Sequence, residues 1–348
     1  MNDVAITGIG PICSLGVGAA DFFAGLDEGR AGLRELGRVP ATGFPGLHAA
    51  ECLDFAVEDY LESEKTYLDR ASELALAGCH LALEDAGIDR AGLDKDRFGL
   101  ALGTAYGCLD SMARHTERLA QKGAKFTSPV IFQHSYANTP TSLCAIEYDI
   151  QGPAATFCDR ALSGATAVQY AFDLLRADSA DVVLAGGVEA LSPTLLEGWR
   201  ETGLLDRPGF VPGEGAGLLA LETAAHAANR QARVRARLLA VSVVWDEDPW
   251  AAGLRAMETA LAEAGNPQVS HFLYGTEGLV SLAELSPRAL AETMREAETR
   301  MPETLFGQTF AAGPGLSLAW ACHTGGCALL GFVDPGGGAA ALVVEAAA

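Results

Sequence analysis

Short apolar runs that end in glycine recur along this chain, each followed by a segment of helical period, and that alternation restricts the fold more than any other feature. VAITGIG at Val4–Gly10 reads as a buried strand entering a loop, and FGLALGTAYG at Phe98–Gly107 as a strand running into small residues. DVVLAGGVEAL at Asp181–Leu191 reads as a parallel-type strand, and GFVPGEGAGLLALE at Gly209–Glu222 as a glycine-rich turn followed by a strand. Between them Leu68–Gly87, Cys108–Lys122 and Ser163–Arg176 carry their apolar residues on one face, with Gly87 placed to close the first helix. The alternation then repeats. Arg233–Trp245 and Val269–Gly278 read as strands, the second ending in a loop, and Pro249–Ala264, Ala289–Thr299 and Ala311–Cys322 as helices. Gly336–Ala346 is a glycine turn into a last strand. The pattern predicts an α/β protein with a largely parallel sheet covered by helices, in two similar halves, 1–225 and 226–348.

A formal net charge of −21 argues against nucleic acid or an anionic membrane surface as a partner, because both need a basic footprint. No targeting segment and no long apolar stretch is legible, so the expectation is a cytoplasmic chain that does not enter a membrane. The eight cysteines are single, with no CxxC pair, and read as buried small thiols rather than metal ligands. GTEG and GEGAG lack the spacing of a nucleotide loop, so no cofactor or metal is expected.

TFCDRALSGATA at Thr156–Ala167 has the look of a strand-to-helix turn that could carry a nucleophile. Together with VAITGIGPICSLG, DVVLAGGVEAL and GFVPGEGAGLLALE, in that order, it resembles the β-ketoacyl synthases of the thiolase fold. The resemblance covers most of residues 1–225 and continues more weakly through YGTEG, FGQTFAAGPG and DPGGGAAALVVEA. It implies a thiolase-like fold of two pseudo-symmetric halves in a layered α-β-α-β-α arrangement.

Active members of that family place a cysteine eight residues after the Gly-Pro pair. Here that position, counted from Pro153, holds Ala161, which cannot form a thioester. The family's two histidines are matched by Tyr274 in YGTEG and Gln308 in GQTFAAGPG, and its lysine by Glu303. No residue of the turn is therefore expected to be a nucleophile. Cys158 is expected on the strand, where alternation would bury it, and Ser163 as the cap of the next helix. His271 and His323 sit at no family position. Asp159 and Arg160 could pair with each other or cross to a partner chain.

A nucleophile-less member of this family implies a chain length factor, the inactive subunit that pairs with an active ketosynthase in type II polyketide systems. Such a chain would wall part of an interface tunnel and limit product length by overpacking. It would meet acyl carrier protein mainly through its partner. Family resemblance points to Thr104, Tyr106, Cys108, Met112 and His115 for the tunnel, and to Phe132, Tyr136 and Asn138 for the interface. Loops before the GFVPGEGA turn and between GQTFAAGPG and DPGGG are short, and Pro335 stands where many synthases carry a mobile phenylalanine. The short length is nearest to the factors of polyene-type, highly reducing systems. The alternatives are an independent decarboxylase, acyltransferase or hydrolase with altered residues, and a purely structural stabiliser of a synthase.

Overall fold

A computed structural model describes residues 2–65, 67–275 and 296–347. Its centre is one mixed sheet of ten strands, to which a two-residue strand, Gly16–Val17, adds at the end of the first. In chain order the first five are β1 (Val4–Cys13), β2 (Phe98–Gly103), β3 (Ala154–Phe157), β4 (Val182–Glu189) and β5 (Gly215–Thr223). The second five are β6 (Ala236–Trp245), β7 (His271–Gly275), β8 (Glu298–Arg300), β9 (Cys327–Asp334) and β10 (Gly338–Ala346).

The first five lie in the order β1-β5-β4-β2-β3 and the second five in the order β6-β10-β9-β7-β8. Pairing directions match as well. β1–β5 and β5–β4 are antiparallel and β4–β2 and β2–β3 parallel, as are their counterparts in the second set. The two sets join where Val4–Ile6 of β1 pairs antiparallel with Ala236–Leu238 of β6. The expected largely parallel sheet is thus corrected to a mixed one. One cause is local: β9 and β10 are joined by the short turn 335–337, and a hairpin can only be antiparallel.

Six helices matter for the site: α1 (Arg70–Ala86), α2 (Leu109–Lys122), α3 (Thr139–Glu147), α4 (Ser163–Arg176), α5 (Pro249–Glu263) and α6 (Gly313–Thr324). α1 and α3 cover the outer face of the first strand set, and α5 that of the second. α4 and α6 lie between, touching strands of both sets and each other. Ala165, Val168, Phe172 and Leu175 of α4 are all buried there, which is the face its period predicts. α1 begins at Asp69, whose side chain accepts the Ala71 N–H, and ends at Gly87 in the left-handed region (φ 60°). Ala289–Thr299, expected as a helix, lies mostly outside the described residues, and its Glu298 and Thr299 belong to β8.

Candidate functional site

β3 leaves the sheet into a single 3-10 turn, Arg160–Leu162, that runs straight into α4. Arg160 has φ +54°, so the turn carries a strained non-glycine residue at the sharp strand-to-helix corner that suits a nucleophile. Ala161 follows it and is buried. The corner can sit so deep because Gly164 and Gly187 have no side chains: a Cβ on either would overlap the Ala311 carbonyl in the 3-10 turn Phe310–Ala312 that precedes α6.

Ser163 does not cap α4. The helix starts directly from the 3-10 turn, so its N-cap position is Leu162, with no side-chain cap. The Ser163 hydroxyl instead accepts the Asp159 N–H at 2.8 Å and faces the carbonyl oxygens of Arg160 (2.5 Å) and Thr104 (3.2 Å), to either of which it can donate. It holds the turn from behind.

Cys158 is also corrected. It lies one residue past the end of β3 and is exposed, because alternation stops with the strand. Partial desolvation of its sulfur by the surrounding protein, with the carboxylates of Asp159 and Glu189, pushes its thiol above the ordinary value. That disfavours the thiolate a nucleophile needs.

Ala161, Gln308 and Glu303 come together around a cavity of about 20 Å³, also lined by Gly275, Phe310 and Phe332. That is room for about one water molecule. Gln308 is buried and fully engaged: its Oε1 accepts the Val211 N–H at 2.6 Å, and its Nε2 donates to the Gly209 carbonyl (3.3 Å) and to Glu303 Oε2 (3.2 Å). Tyr274 is not brought to this cavity. Its ring stacks on Phe272 (centroids 5.6 Å apart) among the residues that pack against α5, while its neighbour Gly275 faces the cavity. The rest of YGTEG, Thr276 onward, lies outside the described residues. His271 approaches Glu298 at 3.6 Å, and His323 bonds Asp27 at 2.8 Å while stacking on Phe23.

Space beside Ala161 is taken by aromatic rings. Phe310 (φ +43°) stacks on Trp199 at 5.2 Å and meets Tyr106 edge-on at 5.4 Å, and Phe210 joins the same cluster. The Trp199 indole N–H donates to the Tyr106 hydroxyl at 3.1 Å.

The candidate tunnel and interface residues divide by direction. Thr104 and Cys108 are buried inside this chain, Thr104 Oγ1 accepting the Gly107 N–H at 2.8 Å. Met112, Phe132, Tyr136 and Asn138 are exposed and His115 is half-buried. His115, Phe132 and Tyr136 form a ladder of rings with centroid spacings of 5.2 and 5.1 Å. Asp159 and Arg160 do not pair with each other, since Arg160 reaches Asp334 instead.

Sequence reasoning missed Glu189 at the end of β4. It is fully buried and accepts the N–H groups of Ala105 (2.8 Å) and Tyr106 (3.2 Å), fixing the loop that carries them. Burial pushes its carboxyl up to about 8. The only signal was an acid closing an otherwise apolar strand, in AGGVE.

The family profile described as "Beta-ketoacyl synthase, N-terminal domain" matches residues 1–227. The 3-oxoacyl-[acyl-carrier-protein] synthase 2 of Coxiella burnetii is 28% identical over 289 residues, covering 75% of this chain and 69% of that protein. The tetracenomycin polyketide synthase ketoacyl synthase alpha subunit of Streptomyces glaucescens is 30% identical over 264 residues, covering 68% of this chain and 61% of that one. The solved structure described as the ishigamide ketosynthase/chain length factor superposes over the full length of both chains with TM-score 0.88 and 23% identity. That likeness is one of fold, and the fold is thiolase-like. With the profile spanning β1 to β5 and the elbow between them, the chain belongs to the β-ketoacyl synthase family.

Proposed function

We propose that this chain is a non-catalytic chain length factor: it pairs with an active ketosynthase and forms part of the wall that limits a carrier-bound polyketide chain. The observation that carries this reading is the elbow itself, with alanine at its corner beside a cavity of about 20 Å³ that has no room for an acyl chain. The geometry of a thioester-forming turn is kept while its nucleophile and its space are gone. A surface for a partner supports the same reading. Among the described residues β3 is an edge strand with one side unpaired, and exposed Met112, Leu119, Phe126, Val130, Phe132 and Tyr136 lie on α2 and the segment that follows it. Isolated exposed apolar residues need no explanation, but a group this large does.

In this role residues 1–225 are the ketosynthase-like half and 226–348 its shortened counterpart. The setting would be cytoplasmic, with acyl carrier protein engaged through the ketosynthase. The test is co-expression with an active type II ketosynthase, followed by native mass and elongation assays. A one-to-one heterodimer that extends carrier-bound chains, with this chain inactive alone, is the expected result. A homodimer that ignores the synthase, or turnover by this chain alone, would overturn the proposal.

A further inference from the structure

We infer that Arg160 and Asp334 form a clasp that shuts this subunit's own remnant chamber, which makes Arg160 the residue that denies a carrier-borne thioester entry on this side. Its biological meaning rests on the chain-length-factor reading, whereas the clasp is a property of this chain alone.

Arg160 occupies the left-handed region at φ +54°, which is unfavourable for a non-glycine residue and persists only where the surroundings hold it. From there its guanidinium reaches across to the last residue of β9. Nε donates to Asp334 Oδ2 at 3.1 Å and Nη2 to Oδ1 at 2.6 Å, a two-point fork. The Arg160 side chain is 57% exposed and that of Asp334 only 2%, so the guanidinium lies over the carboxylate as a cover. Asp334 Oδ1 also accepts the Gly336 N–H at 2.6 Å, which ties the same carboxylate to the turn between β9 and β10. Pro335 stiffens that turn by fixing its own φ.

The contact surface is shaped for the arginine. A Cβ on Gly336 would overlap the guanidinium, so this position must remain glycine while Arg160 lies there. On the other side of the elbow, Leu162 packs against Gly338, where a Cβ would meet Leu162 Cδ1 at 2.5 Å and the Trp245 ring at 2.9 Å. Elbow and turn are therefore joined at two points. Ala161 lies between them, and Leu162, Phe332 and Val333 line the cavity behind it. A pantetheine arm coming in over Arg160 would have to part elbow from turn to reach position 161. That would strand the Asp334 carboxylate without the cation that compensates its burial.

Alkylation kinetics test this directly. The full chain carrying Cys158→Ser and Ala161→Cys is treated with iodoacetamide, and modification of each cysteine is followed by peptide mass mapping. The thiol introduced at 161 should react at least tenfold faster once Arg160→Ala and Asp334→Ala are added together, with the six buried native cysteines Cys13, Cys52, Cys79, Cys108, Cys144 and Cys327 unchanged. Removing both charges avoids an orphaned carboxylate. A fast-reacting thiol with the clasp intact, or no acceleration without it, would overturn the inference. If the double variant unfolds, all native cysteines accelerate together, and Arg160→Lys then decides, because it keeps the charge and loses the fork. A several-fold acceleration confined to 161 supports the clasp and an unchanged rate refutes it. Pairing with a synthase enters neither measurement, so failure here leaves the chain-length-factor reading standing, and the reverse.

Discussion

At the scale of single residues, the proposed role turns on the elbow, where Ala161 is buried between Arg160 and Leu162. Restoring the sulfur at Ala161 does not restore its chemistry. The adjacent Cys158 shows the local electrostatics, with partial desolvation, Asp159 and Glu189 all pushing a thiol upward. A thiol at 161 would also face Gln308 and Glu303 where active members carry a histidine and a lysine, and the Gln308 amide is already engaged with Val211, Gly209 and Glu303. Ala161→Cys is therefore expected to give no condensation and no malonyl decarboxylation by this chain alone, and no gain over the unsubstituted heterodimer when paired, as read by mass spectrometry of carrier-bound species. Gln308 holds its loop through three side-chain hydrogen bonds. Gln308→Ala leaves the Val211 N–H and the Gly209 carbonyl without their side-chain partner. The expected loss is about 1–3 kcal/mol of unfolding free energy, measurable by denaturant titration, since abandoned buried groups cost that much.

At the scale of elements, the loop after β2 depends on one buried acid. Glu189 is held up to about 8 by burial, against an ordinary glutamate value of 4.5. In the unfolded chain it loses its proton near 4.5, whereas in the folded chain it keeps it until about 8. The folded state thus binds more protons across that window, and this contribution to stability falls as pH rises through it. Below the window both states are protonated and the contribution is constant. Melting temperature should decline between roughly pH 5 and 8, and Glu189→Gln, always neutral, should flatten that part of the profile. The outward face of α2 and the segment 126–136 belongs to the partner in the proposed role. Phe132→Asp is expected to abolish the heterodimer in native mass spectra while leaving circular dichroism of this chain unchanged, because Phe132 is exposed here.

At the scale of the whole molecule, two five-strand units of the same order and pairing direction back onto a shared layer of α4 and α6. The elbow lies where the units meet: α4 starts there from the first, and β9 and its turn come from the second. At the far end, β3 leaves one backbone edge open. The Leu100 and Thr104 N–H groups bond the Pro153 and Phe157 carbonyls, so alternate residues Ala154 and Thr156 turn their backbone groups outward. Ala154→Pro removes one outward N–H without breaking a bond inside the chain. Loss of the heterodimer with an unchanged melting temperature is the expected outcome, and intact pairing would show that β3 is not the contact edge.

The α/β alternation, the inward face of α4, the Gly87 helix end and the family, through the spacing of its motifs, are all legible in the amino-acid order. These are legible because periodicity, glycine placement and motif distance are local properties of the chain. The same order places Ala161 eight residues after Pro153, a count that needs no coordinates. Other features depend on groups distant in sequence and emerge only when the chain is packed. Tyr274 faces α5 because strand alternation hands the cavity to Gly275, one position on. Ser163 bonds backward because the preceding turn is already helical. Arg160 finds Asp334 across 174 residues, and Glu189 finds the loop N–H groups of Ala105 and Tyr106 across more than eighty. A buried charge takes whichever partner the packed fold brings within hydrogen-bond reach, and no local pattern encodes that choice.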